Sequence, residues 1–207
     1  MQPFTTLESI AAPLDRANVD TDVIIPARFL VQPRSAGLGN FAFHDLRFDE
    51  DGAERPEFTL NQAPYRDARI LVADDNFGCG SSRESAVWAL VDYHHGDGFR
   101  AIIAPRFGDI FYNNCCKNGV LPIRLDADTV AELRRQLHAA PGAKIAIDLP
   151  AQTLVAPEGQ THTFDIDPFR KECLVEGLDD IDLTMRHEAE IEAYERDRRQ
   201  RVPWSIP

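Results

Sequence analysis

The sequence predicts a layered α/β domain with mixed sheets, on three observations. Residues 69–139 alternate short, wholly apolar runs with helical periodicity, the pattern of parallel strands joined by helices. Residues 144–166 alternate with period two and are broken by turn residues, the pattern of antiparallel hairpins. Residues 183–201 read as a charged, exposed terminal helix. With 207 residues, 43% hydrophobic and 27% charged, the chain is long enough to bury a core without disulfides or metal, which excludes general disorder.

In chain order, residues 4–12 and 22–30 are short apolar segments, the second holding Val23-Ile24-Ile25 and stopped by Pro26. Residues 32–64 are rich in Gly, Pro, Asn and Asp and show no periodicity, which suggests a functional loop or lid. Residues 69–73 read as a buried strand, residues 74–80 as a polar turn and residues 85–91 as a mostly buried helix. Residues 101–104 form a second strand ended by Pro105. Phe107, Ile110 and Phe111 then occupy one helical face, and that helix runs to Lys117 with Gly119 as its left-handed cap. Residues 121–123 are a strand and residues 129–139 a helix. Residues 144–149, 152–155 and 161–166 are antiparallel strands, and residues 169–176 a helix closed by Gly177.

Composition excludes several functions. The net charge is −12, and no Lys/Arg run offers the positive footprint that nucleic acid requires. The densest basic stretch, Arg196 to Arg201, follows Glu188, Glu190, Glu192 and Glu195, so it reads as a solvated, salt-bridged helix. Cys79, Cys115, Cys116 and Cys173 form no C-x-x-C pair, which argues for reduced thiols rather than a disulfide framework or a metal site. No stretch has signal-peptide or membrane-span character, so a soluble, cytoplasmic protein is expected. His94 and His95, beside Gly96, read as an exposed turn.

The strongest site signal is Asn76-Phe77-Gly78-Cys79-Gly80-Ser81-Ser82-Arg83-Glu84, between a buried strand and a buried helix. Its glycines allow a sharp turn, the helix start offers free N–H groups, and Arg83 supplies a cation able to grip a carboxylate. Ser81-Ser82-Arg83-Glu84 is also a capping box, S-x-x-E, and both readings stand on spacing alone. Arg83 opposes the helix dipole and needs a partner, which a bound anion would provide. A dinucleotide fingerprint would need Gly at position 83, and neither a phosphate loop nor a G-x-S-x-G elbow is present. Asp20-Thr21-Asp22 reads as a cap, an Asx-turn or a calcium-loop fragment, although no glutamate follows at EF-hand spacing.

Five blocks in order resemble the small subunit of 3-isopropylmalate dehydratase, of the aconitase superfamily. They are residues 12–26 (around Asn18-Val19-Asp20-Thr21-Asp22), residues 76–84, Ile103-Ala104-Pro105 with Asp109-Ile110-Phe111, residues 113–122 (around Lys117-Asn118-Gly119), and residues 164–181. The resemblance spans nearly the whole chain. It implies one aconitase-like swivelling β/β/α three-layer domain over residues 1–207, with a C-terminal helical extension from about residue 183. It implies no cofactor in this chain and a [4Fe–4S] cluster in a separate large subunit. The implied reaction isomerises 2-isopropylmalate to 3-isopropylmalate by dehydration and rehydration, in leucine biosynthesis. Ser81 matches the family's base and Asp22 an acid near the reacting centre. Arg83, with Ser82 and Gly80, matches the substrate-binding bend, and Arg34 is a second carboxylate clamp on a loop where Leu38 and Phe41 would meet the isopropyl group. The family reads His where this chain has Ser85, and a few residues around His94 to Asp97 look inserted. Alternatives are a small subunit for another 2-hydroxydicarboxylate, such as citramalate or homocitrate, and a non-catalytic binding module.

Overall fold

The first strand, β1 (Thr6–Leu14), organises the molecule because its two halves have different partners. Residues Ala11 to Leu14 pair in parallel with β2 (Ile70–Ala73), while Thr6 to Ile10 pair antiparallel with β5 (Lys144–Asp148). In chain order β3 (Ala101–Ala104) and β4 (Leu121–Arg124) extend the parallel side, and β6 (Thr153–Val155) and β7 (Thr161–Thr163) extend the antiparallel side. The result in this computed structural model, which describes residues 1–93, 98–202 and 204, is one seven-stranded mixed sheet of order β4-β3-β2-β1-β5-β6-β7. The parallel and antiparallel runs expected from the sequence are both present, and β1 joins them. The turn expected at His94 and His95 lies outside the described residues.

Every residue of β2 and β3 is buried, as befits parallel strands covered on both faces. In β5 only Ile145 and Ile147 are buried, so its alternation marks one covered face.

Residues 32–64 are not a free lid. After the single-turn helix α1 (Thr21–Ile24), the single-turn helix α2 (His44–Arg47) and several 3-10 turns carry this stretch across the core, with Leu38, Phe43 and Leu60 buried. Leu38 therefore faces the interior rather than a ligand, and Phe41 stacks on Phe29 with ring centroids 4.2 Å apart.

The longer helices are α3 (Glu84–Val91), α4 (Asp109–Lys117), α5 (Ala127–Ala139) and α6 (Pro168–Glu176). Phe107 lies before α4, whose N-cap is Gly108, so the spacing of Phe107, Ile110 and Phe111 is not counted within one helix. Phe107 and Phe111 are buried against Phe77, and Ile110 is 52% exposed. The expected terminal helix is two pieces, α7 (Asp180–Met185) and α8 (Glu188–Arg201), divided at Arg186 and His187. No residue of α8 is buried, and ion pairs such as Arg196–Glu192 at 3.5 Å lace its surface.

Candidate active site

The loops that follow β1, β2 and β3 meet at the C-terminal edge of the parallel strands, where open α/β sheets bind ligands. Backbone pairing continues past the strands and holds these loops in register. Gly78 N donates to Val19 O at 2.7 Å, Thr21 N to Cys79 O at 3.0 Å, and Phe77 N to Arg106 O at 3.0 Å. Asn18 and Asn76 both take left-handed backbone conformations, and the Asn76 amide donates to Asn18 Oδ1 at 2.8 Å. Gly78 has φ +70°, and a Cβ there would lie 2.2 Å from the Phe111 ring. A Cβ on Gly108 would lie 2.4 Å from the Gly78 carbonyl oxygen. This tight backbone contact lifts Gly80, Ser81 and Ser82 into solvent.

The bend brings Ser81, Arg83, Thr21 and Asp22 together. Ser81 Oγ is 3.1 Å from the hydroxyl of buried Thr21. Asp20, bridged to Cys79 of the bend, spends a carboxylate oxygen capping α1 by accepting from Val23 N at 2.8 Å, so of the two aspartates it is Asp22 that pairs with Arg83. Asp22 Oδ1 accepts from Ala27 N at 3.2 Å and forms an ion pair with Arg83 Nη1. The Arg83 guanidinium, by direct bonding and then by its charge, holds the Asp22 carboxyl below the usual aspartate range. The Asp22 side chain is 53% exposed and that of Arg83 24%, so the pair sits at the surface.

Two expectations change. Ser81 does not cap α3: the N-cap is Arg83, with no side-chain cap bond, and Glu84 accepts from Asn118 Nδ2 at 2.8 Å instead of reaching back. The partner of Arg83 is an internal acid, Asp22, rather than a bound anion alone. Arg34 is not brought to this group. It forms two hydrogen bonds to Asp92, at 3.2 and 3.1 Å, just past the C-terminal end of α3, and its guanidinium carbon lies 5.4 Å from the Trp88 ring centroid. Ser85 is half-buried in the first turn of α3. Thr21 escaped the sequence reading; its only signal was a hydroxyl between two aspartates ahead of an apolar run.

An iron–sulfur cluster does not suit this chain's own thiols. Burial raises the Cys79 and Cys115 thiols and pushes Cys116 up to about 11, so as free side chains they are neutral thiols. Among the described residues no three His, Cys, Asp or Glu side chains gather as a metal site. No described helix is long and apolar enough to cross a membrane.

A mixed sheet presenting a Gly-Ser-Ser-Arg bend at its parallel edge defines an aconitase-type C-terminal domain, and the model described as Aconitase C-terminal domain matches residues 1–128. The LeuD_N model matches residues 131–168, and the model of the C-terminal domain of the 3-isopropylmalate dehydratase small subunit matches residues 180–205. The chain belongs to the 3-isopropylmalate dehydratase small-subunit family. It is 52% identical over 206 residues to the 3-isopropylmalate dehydratase small subunit of Rhodospirillum centenum, covering 100% of both chains. The same protein of Roseobacter denitrificans is 51% identical, across 99% of this chain and 100% of the relative. A crystal structure of 3-isopropylmalate dehydratase (leuD) from Methanocaldococcus jannaschii superposes with a TM-score of 0.65 at 26% identity, covering 91% of this chain and 99% of that one.

Proposed function

We propose that this chain is the small subunit of a 3-isopropylmalate dehydratase. It presents one wall of an active site to 2-isopropylmalate while a large subunit presents the other. The observation that carries the reading is the exposed Ser81–Arg83 bend, with Arg83 steered by Asp22, in a chain related over its full length to such subunits. Lewis-acid chemistry at the substrate hydroxyl is assigned to a [4Fe–4S] cluster on the large subunit.

This chain's share is binding and proton transfer. Arg83 contacts Asp22 through Nη1, leaving guanidinium N–H groups for a substrate carboxylate. Gly80 leaves the backbone open to that carboxylate, and the Ser82 hydroxyl is a second donor. Ser81 takes the proton from the carbon next to the hydroxyl-bearing one; as the hydroxyl departs, a double bond forms between the two carbons. The departed hydroxide then adds to the carbon that lost its proton, and Ser81 returns that proton to the other carbon.

A serine hydroxyl becomes a base only where its alkoxide is stabilised. The Thr21 hydroxyl, 3.1 Å away and able to donate to an alkoxide, and the charge of Arg83 both act in that direction. Asp22, a carboxylate at neutral pH, donates no proton; it orients Arg83. Arg34, paired with Asp92 beside Trp88, lies apart from these residues.

Co-expression with the large subunit, following the unsaturated intermediate by ultraviolet absorbance, tests the proposal. Turnover of 2-isopropylmalate is expected; turnover of citramalate alone would overturn the substrate. Arg83→Lys is expected to raise KM by about tenfold or more, because an ammonium loses the two-point grip; an unchanged KM would remove Arg83 from substrate binding.

A further inference from the structure

Asn118 closes α4 as its C-cap, and its half-buried amide is fully engaged. Nδ2 donates to Glu84 Oε1 at 2.8 Å and to the Asn114 carbonyl at 2.9 Å, while Oδ1 accepts from the Trp88 indole N–H at 3.0 Å. These partners fix which way round the amide lies, since an indole only donates and a carboxylate and a carbonyl only accept. No residue lacking both a donor and an acceptor could do the same.

Glu84 and Trp88 are one turn apart on α3, so Asn118 grips one face of that helix from its neighbour. Arg83, the residue before Glu84, caps α3 without any side-chain bond. The start of α3 is therefore fastened by a side chain from a different helix, at the point where the bend joins it. Trp88 also backs Arg34.

We propose, resting on the function given to the bend, that Asn118 is a positioning residue: it holds the first turn of α3 so that Arg83 and Ser81 meet the substrate in register. It touches no reacting atom. A loss at Asn118 should therefore appear in kcat/KM, and restoring its contact with Glu84 by other means should restore the rate.

Asn118→Asp keeps the bond from Trp88 but sets a second carboxylate against Glu84, so that the pair must share a proton. The charged side chains that share a cavity with this cluster are Arg34, Arg100, Lys117, Asp179 and Asp180. All are common to the wild type, so a difference in pH profile between the two proteins belongs to the new carboxylate. In the two-chain enzyme, kcat/KM of Asn118→Asp is expected to fall about tenfold or more near pH 8 and to recover on acidification, while the wild type shows no such rise. Adding Glu84→Gln reverses donor and acceptor between positions 84 and 118 but leaves the bond to the Asn114 carbonyl unmade, and is expected to recover part of the rate near pH 8. A pH profile parallel to the wild type, or no recovery in the double variant, would overturn the proposal.

Trp88→Phe removes the indole N–H together with its five-membered ring and serves if Asn118→Asp melts too low to assay; a several-fold loss is expected, and an unchanged rate would count against Asn118. A wild-type pair that turns over nothing would instead contradict the function of the bend. The Trp88 indole N–H of the full chain then decides for Asn118: in Asn118→Leu its NMR shift should move and its exchange quicken, while that of exposed Trp204 stays put. An unmoved Trp88 signal would sink the proposal.

Discussion

In the proposed reaction Ser81, Arg83 and Asp22 divide the labour that a reacting dicarboxylate requires. Ser81 has a hydroxyl neighbour and no helix N–H to cap, which leaves it available for chemistry. Asp22 is tied to Arg83, and the sign of its pH dependence follows. Its carboxyl titrates below the usual aspartate value of about 3.9, so the ion pair is intact above that value and is lost as pH falls through the lowered one. A carbon-13 NMR titration should give Asp22 a midpoint below that of a free aspartate, moving up in Arg83→Gln. A normal midpoint in the wild type would mean that the pair does not form in solution. Both side chains are partly exposed, so the pair orients rather than stabilises.

At the scale of elements, the bend depends on how closely the β2 and β3 loops approach. Gly78→Ala adds a methyl against the Phe111 ring in a left-handed backbone conformation, and is expected to cost at least about 2 kcal/mol, measured by denaturant unfolding. A loss below about 0.5 kcal/mol would show that the loops yield. The exposed α8 should exchange its amide protons by local opening, far faster than β2 and β3 do in the same chain; equal protection would contradict its exposure. The strands and helices of residues 69–139 were legible because buried strands such as Ile70-Leu71-Val72-Ala73 are unbroken apolar runs. The break at Arg186 and His187 was not, because neither Gly nor Pro marks it. Ile110 misled because the helical count was begun at Phe107, outside α4. The double pairing of β1 and the meeting of Asp22 with Arg83 join residues far apart in the chain, and local pattern carries no trace of either. The glycines and Arg83 pointed to the bend, but the choice between cap and catalyst needed the observed start of α3.

For the whole molecule, a net charge of −12 works against any anionic substrate, so affinity must come from local groups and, in the proposed two-chain enzyme, from the large subunit. The sheet places one half of a site at its parallel edge and leaves it open. The claim on which the account rests is that Ser81 carries the proton transfer of a two-chain dehydratase. Its most direct test is steady-state turnover of 2-isopropylmalate by the purified pair, wild type against Ser81→Ala, with the melting temperature of each small subunit measured alongside. The account predicts a loss of kcat of at least about a hundredfold, with melting temperature and association of the two chains unchanged. A Ser81→Ala pair that turns over at the wild-type rate would contradict it.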